Sequence, residues 1–546
     1  MDDETFDPPN DGTWELDTTH VSRPISWFTR AALLSGFPRG FAEGLARYGL
    51  LLGRYDIAVI GGFMYAQMVP FGAGGTATPE QMQARIATSA RAFTERFWRE
   101  DLAHWDDVVK PAAIAAHLAV QAVEPAELSD DDLAEHVGRC EDHLEVNFEL
   151  HHRYSAPSLM ATGDFLAAGL EWTGATAGEL MGLLRGTSAI STGFAATELD
   201  ALADAVAASD AARATLASAA GPEAVLAALT TDPDVGPAAR TYLEAVRYRS
   251  IGYDVGEPSA GELPAMLVGA IRAAVAHRKP RPDDGGDGAL TSIRARVPGE
   301  HLAEFDDRLH EARLANRLRD ERATYSDGWA VGLARRALLE AGRRLAARGR
   351  LTDPAHAVDA TAAELAALLR GEPGPSAEEV AERFRRRTSR TVDDAPPLLG
   401  PTPAPPPPLE ALPEPARRAT LAVNASMANL FGVPDTPNAA TVVHGLAVNT
   451  GVYEGPARLV ADSTDFDRVQ RGDVLVTRMT SPYFTVVLPL LGAIVTDRGG
   501  QLSHAAIVAR EYGIPGIVGT RDATRVIPDG ARVRVDGTTG EVRLLK

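Results

Sequence analysis

The sequence predicts a mostly α-helical region over residues 26–394 followed by a compact α/β domain over residues 440–546. Three observations carry that reading. From Ser26 to Arg390 Ala, Leu, Arg and Glu dominate, and apolar residues recur at three- and four-residue intervals. After residue 440 the apolar runs become short and β-branched and lie between turn signals. Between the two regions stands a proline-dominated run, Ala395 to Pro408.

The elements follow in order. Residues 1–25 read as an N-terminal tail; Met1 to Pro9 is acidic and polar, with no basic region or apolar stretch of a signal peptide. The most apolar stretch, Gly49 to Phe71, is interrupted by Arg54 and Asp56 and contains Gly61 and Gly62. A membrane span needs about 20 apolar residues without such charges, so the expectation is a buried helix. Amphipathic helices follow, as in Leu199-Leu202-Val206 and Leu333-Ala337-Leu338-Ala341-Leu345. Turn-like clusters break them at Gly72 to Gly75, Gly221-Pro222, Asp232-Pro233, Pro280 to Gly288 and Gly371 to Pro375. No β-rich block is expected within this region. The run from Ala395 to Pro408 is expected to leave both helix and sheet, because proline lacks the amide donor and fixes φ. As polyproline II it would span roughly 40 Å, and residues 395–439 are read as linker and connecting segment.

In the C-terminal domain, strands are expected at Gly472–Thr477, Gly492–Thr496, Gly516–Val518, Ala531–Val535 and Glu541–Leu544. Asp529-Gly530 and Asp536-Gly537 mark tight turns. A helix starts at Ser503 or His504, ends at Tyr512, and is closed by Gly513 and Pro515.

Bulk composition narrows the function classes. A chain of 546 residues exceeds one core and divides into two or three domains. A net charge of −20 argues against nucleic acid or an anionic membrane as partner, since either calls for a basic face. With Cys140 as the one cysteine there is no intrachain disulfide, which fits a reducing cytoplasm. Lysine occurs only at Lys110, Lys279 and Lys546. The chain has no GxxxxGK[ST], no GxGxxG between a strand and a helix, and no HExxH metal spacing.

Chemistry concentrates at Thr496-Asp-Arg-Gly-Gly-Gln-Leu-Ser-His504. A strand ends, two glycines permit a sharp turn, and Ser503 can cap a helix whose first turn holds His504. A helix N-terminus offers unpaired amides and about half a positive charge. Both would hold a phosphoryl group on the imidazole and keep the free ring neutral and nucleophilic. Ala505 and Ala506 are expected to leave room for a nucleotide or acceptor. A histidine at a helix start, taken alone, is usually only a polar cap; the surrounding residues decide otherwise.

This segment resembles the mobile phosphohistidine domain of the phosphoenolpyruvate-utilising enzymes. Gly499, Gly500, Ser503, His504, Ala505, Ala506, Ile507, Ala509, Arg510, Gly513, Ile514 and Pro515 fit its pattern, and Gly451, Glu454, Gly455, Gly472, Asp473, Asp536 and Gly537 fit its flanking strands. Leu502 departs mildly, standing where several members have Thr or Met. The resemblance implies a swivelling phosphohistidine domain over 440–546, with His504 and Ser503 catalytic and Gly499 and Gly500 on the phosphate.

The helical region resembles, more weakly, the substrate domain of the rifampin phosphotransferases, through Phe37 to Gly49 and Asn316 to Tyr325. It implies that Arg319 and Asp320 face the docked phosphohistidine and that Arg322 contacts phosphate; the bland reading of these charges is a solvated helix face. A second cluster, Glu145 to Tyr154, carries His151 and His152, either of which could line an acceptor pocket as a base for an alcohol. More often such a pair is one buried and one exposed histidine without a catalytic task.

Family members usually add a nucleotide-grasp domain, for which the helical region has no room. The layout is similar to the histidine-bearing subunit of phenylphosphate synthase. The implied partners are a separate ATP-grasp subunit, which would hold ATP and Mg2+ and charge His504, and a small-molecule alcohol; this chain alone would bind no cofactor and no metal. Three functions compete: a phosphotransferase component, a dehydratase or lyase that phosphorylates an alcohol and eliminates phosphate, and a non-catalytic regulatory or docking homologue. The intact nucleophile motif argues against the third.

Overall fold

The computed structural model of the chain describes residues 5–18, 20–21, 23–187, 195–276, 286–403, 407–431, 441–461, 463–480, 484, 487–501 and 503–545. Most of the Asp-Gly-rich stretch expected as a loop at 280–288 lies outside them. The chain forms two compact units. Unit 1 comprises Met1–Ser158, Tyr248–Ser259 and Glu321–Thr420, and unit 2 comprises Leu159–Arg247, Ala260–Asp320 and Leu421–Lys546. Among the described residues no helix is long and apolar enough to cross a membrane.

Unit 1 is built on the long helices Trp27–Arg47, Asp130–Arg153 and Asp327–Ala347. The stripe Leu333, Ala337, Leu338, Ala341 and Leu345, expected from its spacing, is fully buried. The last four of these share one core with Phe28, Phe37, Leu144 and Phe148.

A sheet also lies here, where the sequence reading expected none. Its strands are β1 (Trp14–Leu16), β2 (Leu52–Ile60), β3 (Phe63–Pro70) and β4 (Leu398–Leu399), in the order β2-β3-β1-β4. The stretch from Gly49 to Phe71 is therefore a hairpin and not a buried helix. Gly61 and Gly62, at φ 59° and 88°, form the two-residue turn that pairs Ile60 with Phe63, a conformation glycine adopts freely. Strand β3 is buried at five consecutive residues, Phe63 to Gln67. A strand covered on both faces loses its alternation and reads like a buried helix.

The proline run also differs from expectation at its start. Leu398 and Leu399 pair with Glu15 and Trp14. Proline cannot donate, but its carbonyl still accepts: Pro397 O takes the Leu16 amide at 3.0 Å and Pro396 O the Tyr65 hydroxyl at 2.7 Å.

Unit 2 contains helices between residues 159 and 320 and a C-terminal α/β domain. The strands are β5 (Val442–His444), β6 (Leu446–Asn449), β7 (Val452–Val460), β8 (Val474–Thr477), β9 (Ala493–Thr496), β10 (Gly516–Val518), β11 (Arg532–Asp536) and β12 (Glu541–Leu544). They form one sheet in the order β5-β12-β11-β7-β8-β9-β10-β6, with β7, β8, β9 and β10 mutually parallel. Alternate residues of the buried strands face opposite cores. Val474, Val476, Val495 and Ile517 pack on one side. Leu475, Ile494 and Val518 pack on the other, against Ala505, Ala506, Val508 and Ala509 of the helix His504–Tyr512. The mostly α region and the C-terminal α/β domain are thus both present, and helix Glu414–Phe431 lies in the segment between them.

Candidate functional site

Two adjacent parallel strands place the site. Because β8 and β9 pair in register, Thr477 beside Thr496, the loops that leave their carboxyl ends run side by side. The ladder continues past the strands, with Asp497 N donating to Thr477 O and Arg498 N to Arg478 O. In open α/β sheets this carboxyl edge is where ligands bind.

The chain then turns at Gly499, whose φ of 103° suits glycine, and where a Cβ would lie 2.8 Å from the Ser503 side chain. Gly500 O accepts from Ser503 N at 3.0 Å. The Ser503 hydroxyl in turn accepts from Ala506 N and caps the helix His504–Tyr512, which ends on Gly513 in the left-handed conformation. Inside the turn, buried Arg510 donates to Gln501 O at 2.7 Å and to its side-chain oxygen, and Gln501 donates to Ala447 O. Arg510 staples the helix to its own loop. Burial, reinforced by Arg319 and Arg185, pulls its guanidinium down to about 9.

His504 is the first residue of this helix. Its Nδ1 lies 3.0 Å from the Thr480 hydroxyl, a contact that ties one ring nitrogen to the segment after β8. Burial, and after it the positive charge of Arg319, lowers its pKa to about 3. The ring is therefore an uncharged base with one nitrogen engaged, at the positive end of a helix, with an arginine beside it. Such an arrangement can make a nucleophilic nitrogen and neutralise an anion bonded to it.

Of the residues singled out from sequence, Ser503, Gly499, Gly500, Arg319 and Asp320 lie with His504 in unit 2. Asp320 takes its place one turn along, its amide donating to Arg317 O. Arg322, His151 and His152 belong to unit 1. There Arg322 donates to His151 O at 2.9 Å. His151 Nδ1 lies 2.8 Å from Asp327 Oδ1, and both side chains are buried. Burial raises the Asp327 carboxyl to about 7. Burial, and then Arg322, pushes His151 well below its ordinary range. Both histidines are buried, against the usual pattern of one in and one out. Ala505 and Ala506 are 2% and 0% exposed within the apolar core, so their small size serves packing and not an incoming ligand. Among the described residues no group of three or more His, Cys, Asp or Glu is placed to hold a metal ion.

Sequence reasoning missed Thr480, Gln501 and the Arg510 staple around His504, and His20, Asp17 and Asp327 around the histidine pair. For Thr480 one signal existed: consecutive parallel strands bring their trailing loops together.

Residues 469–540 match the family described as the PEP-utilising enzyme mobile domain, and residues 151–348 match the rifampicin phosphotransferase fourth domain. The resemblance noted at Asn316 to Tyr325 and around His504 lies within these segments, and Phe37 to Gly49 lies outside them. An uncharacterized phosphotransferase, YvkC, of Bacillus subtilis is 42% identical over 113 residues, 21% of this chain and 14% of that protein. A rifampicin phosphotransferase of Streptomyces sviceus is 43% identical over 111 residues, 20% of this chain and 12% of that protein. A probable phosphoenolpyruvate synthase of Pyrococcus abyssi is 44% identical over 110 residues, 20% of this chain and 13% of that protein. The chain thus spans about a seventh or less of the length of these relatives.

Proposed function

We propose that this chain is a phosphotransferase component in which His504 carries a phosphoryl group from an ATP-binding partner to a hydroxyl of a small molecule held among the helices. The observation that carries the proposal is His504 itself: an uncharged imidazole at a helix N-terminus, Nδ1 on Thr480, Arg319 alongside. With the Nδ1 proton donated to Thr480 Oγ1, the Nε2 lone pair is the nucleophile. Loading forms an Nε2–P bond and breaks the terminal P–O bond of ATP on the partner, releasing ADP. Delivery breaks that N–P bond, with its electron pair returning to Nε2, and forms an O–P bond to the acceptor, whose proton goes to a base.

In this reading the free amides of the first turn and Arg319 hold the phosphoryl oxygens, and Gly499 and Gly500 let the backbone approach them. Asp320 orients Arg319, while Arg322 with His151 and His152 shapes the acceptor side. ATP and Mg2+ remain with the partner, a separate ATP-grasp subunit.

Incubation with labelled ATP and that subunit should give an acid-labile, base-stable phosphoprotein. His504→Ala should abolish the label and leave the fold intact, since alanine is well tolerated in a first helical turn. Label persisting in the variant would overturn the assignment.

A further inference from the structure

Within unit 2 the domain that carries His504 meets a short polar segment of the helical part, Leu183 to Thr187. That segment is tied at both ends to the helix Leu302–Asn316. Arg313 Nε donates to Leu183 O at 2.9 Å, and Asn316 Nδ2 donates to the Thr187 hydroxyl at 2.8 Å. Between the two ties, Gly186 N donates at 3.0 Å to Oε1 of Glu511, on the helix that His504 begins. Close by, a Cβ on Gly178 would lie 3.2 Å from the Gln501 side chain. Arg185 therefore stands beside the contact, and Arg319 follows shortly after Asn316 on the same side of it.

The other side presents Arg510, which is 4% exposed. Its amino groups donate to the carbonyl and side-chain oxygens of Gln501, both neutral, and its Nε has no hydrogen-bond partner. Burial, then the charges of Arg319 and Arg185, pulls this guanidinium down to about 9, with Glu511 opposing them. It therefore keeps its charge at neutral pH. Arg319 also bears on His504, whose ring is uncharged. Like charges brought together out of water repel strongly, and a buried charge is costly without a counter-charge. A phosphoryl group supplies one, about −1.5 to −2 near neutral pH.

We infer that Arg185 and Arg510 are positioning residues that make docking of the phosphohistidine domain depend on its load. While His504 is bare, Arg510 on the domain faces Arg185 and Arg319 on the helices, and the three repel. Once His504 carries a phosphoryl group, its negative charge lies among them and draws the two sides together. The Glu511 contact and the apolar packing of the domain on the helices Ala196–Ala208 to Pro264–Ala276 are common to both states. Only the electrostatic part changes with the load, and a charge shifts a docking equilibrium by its difference between the two states. The inference rests on the phosphotransferase reading. It adds the signal that brings the loaded domain to Arg319 and releases it after delivery.

The test compares His504→Asp with His504→Asn, side chains of nearly one shape that differ by a charge, so no loading reaction is needed. Spin labels on Glu300→Cys and Arg525→Cys, both highly exposed, report the distance between helices and domain in the full chain by pulsed electron paramagnetic resonance; Cys140 is buried. The ratio of docked to undocked protein should be at least about fivefold higher with Asp than with Asn. Salt at about 1 M should shrink that difference. Arg185→Gln should remove at least about half of it, and Arg185→Lys, which keeps the charge, should preserve it. Identical distance distributions for Asp and Asn, or a difference that neither salt nor Arg185→Gln reduces, overturns the inference. If ATP and the partner label His504 in the wild-type chain while Asp and Asn behave alike, the positioning role falls and the phosphotransferase reading stands. If Asp and Asn differ but His504 never accepts label, docking still follows charge, and its part in phosphoryl transfer falls with that reading.

Discussion

His504 is held uncharged by burial and by the Arg319 charge, with a folded pKa of about 3 in place of 6.5. A nucleophilic imidazole loses activity only as pH falls through its own folded pKa, so the sign of the effect is toward acid tolerance. Loading of His504 should therefore stay flat from pH ~8 to pH ~5 once the partner's own dependence is divided out. A midpoint at the ordinary histidine value in quenched-flow labelling would contradict the surroundings described. Arg319→Ala separates the two half-reactions. In the proposal Arg319 meets the phosphoryl group in the delivery pose and not while His504 is loaded on the partner, so the change should slow delivery from phosphorylated His504 by about 10²–10³ and leave loading at neutral pH nearly normal; equal losses would indicate a damaged fold or a wrong assignment of Arg319. The place of His504 behind its Ser503 cap was legible because the motif lies within nine consecutive residues. Thr480, 24 positions away, and His20 with Asp17 carry no local pattern, and only packing shows what they touch.

At the scale of elements, the helix His504–Tyr512 was legible from its ends: a serine cap, a periodic apolar face and a closing glycine. Its cap offers a test that separates stability from chemistry. Ser503→Ala removes the acceptor of the Ala506 amide and should cost about 1 kcal/mol in urea unfolding. Ser503→Asp keeps a good cap, so stability should hold, but it sets a carboxylate beside the phosphoryl group and should slow loading roughly tenfold. Loading unaffected by the aspartate would mean that the group does not sit at this helix end. The hairpin at Leu52–Pro70 was not legible as a strand pair. Its second strand is covered on both faces, so the period-2 signal vanishes, and Gly61-Gly62 was noted without being read as a turn. The first leucines of the proline run were likewise taken as linker, since nothing local reveals that Trp14 and Glu15 offer an edge to pair with.

For the whole molecule, the proposed separate ATP-grasp donor makes its own prediction. The chain purified alone should neither bind ATP with useful affinity nor hydrolyse it, and should gain both label on His504 and ADP release when an ATP-grasp protein is added. Calorimetry showing tight ATP binding by this chain, or turnover without a partner, would remove the need for a second subunit. The sequence by itself determined the mostly helical region, the compact α/β domain at the C-terminus and the capped histidine, because periodicity, turn residues and a contiguous motif are properties of neighbours along the chain. Only the tertiary structure decided the rest. It set Arg319 beside His504 and Arg322 beside His151 although three positions separate the two arginines, and it gathered His20, His152 and Tyr253 around one cleft. Those relations depend on which distant segments pack together, and the free energy of that packing is summed over whole cores that no single stretch of sequence contains.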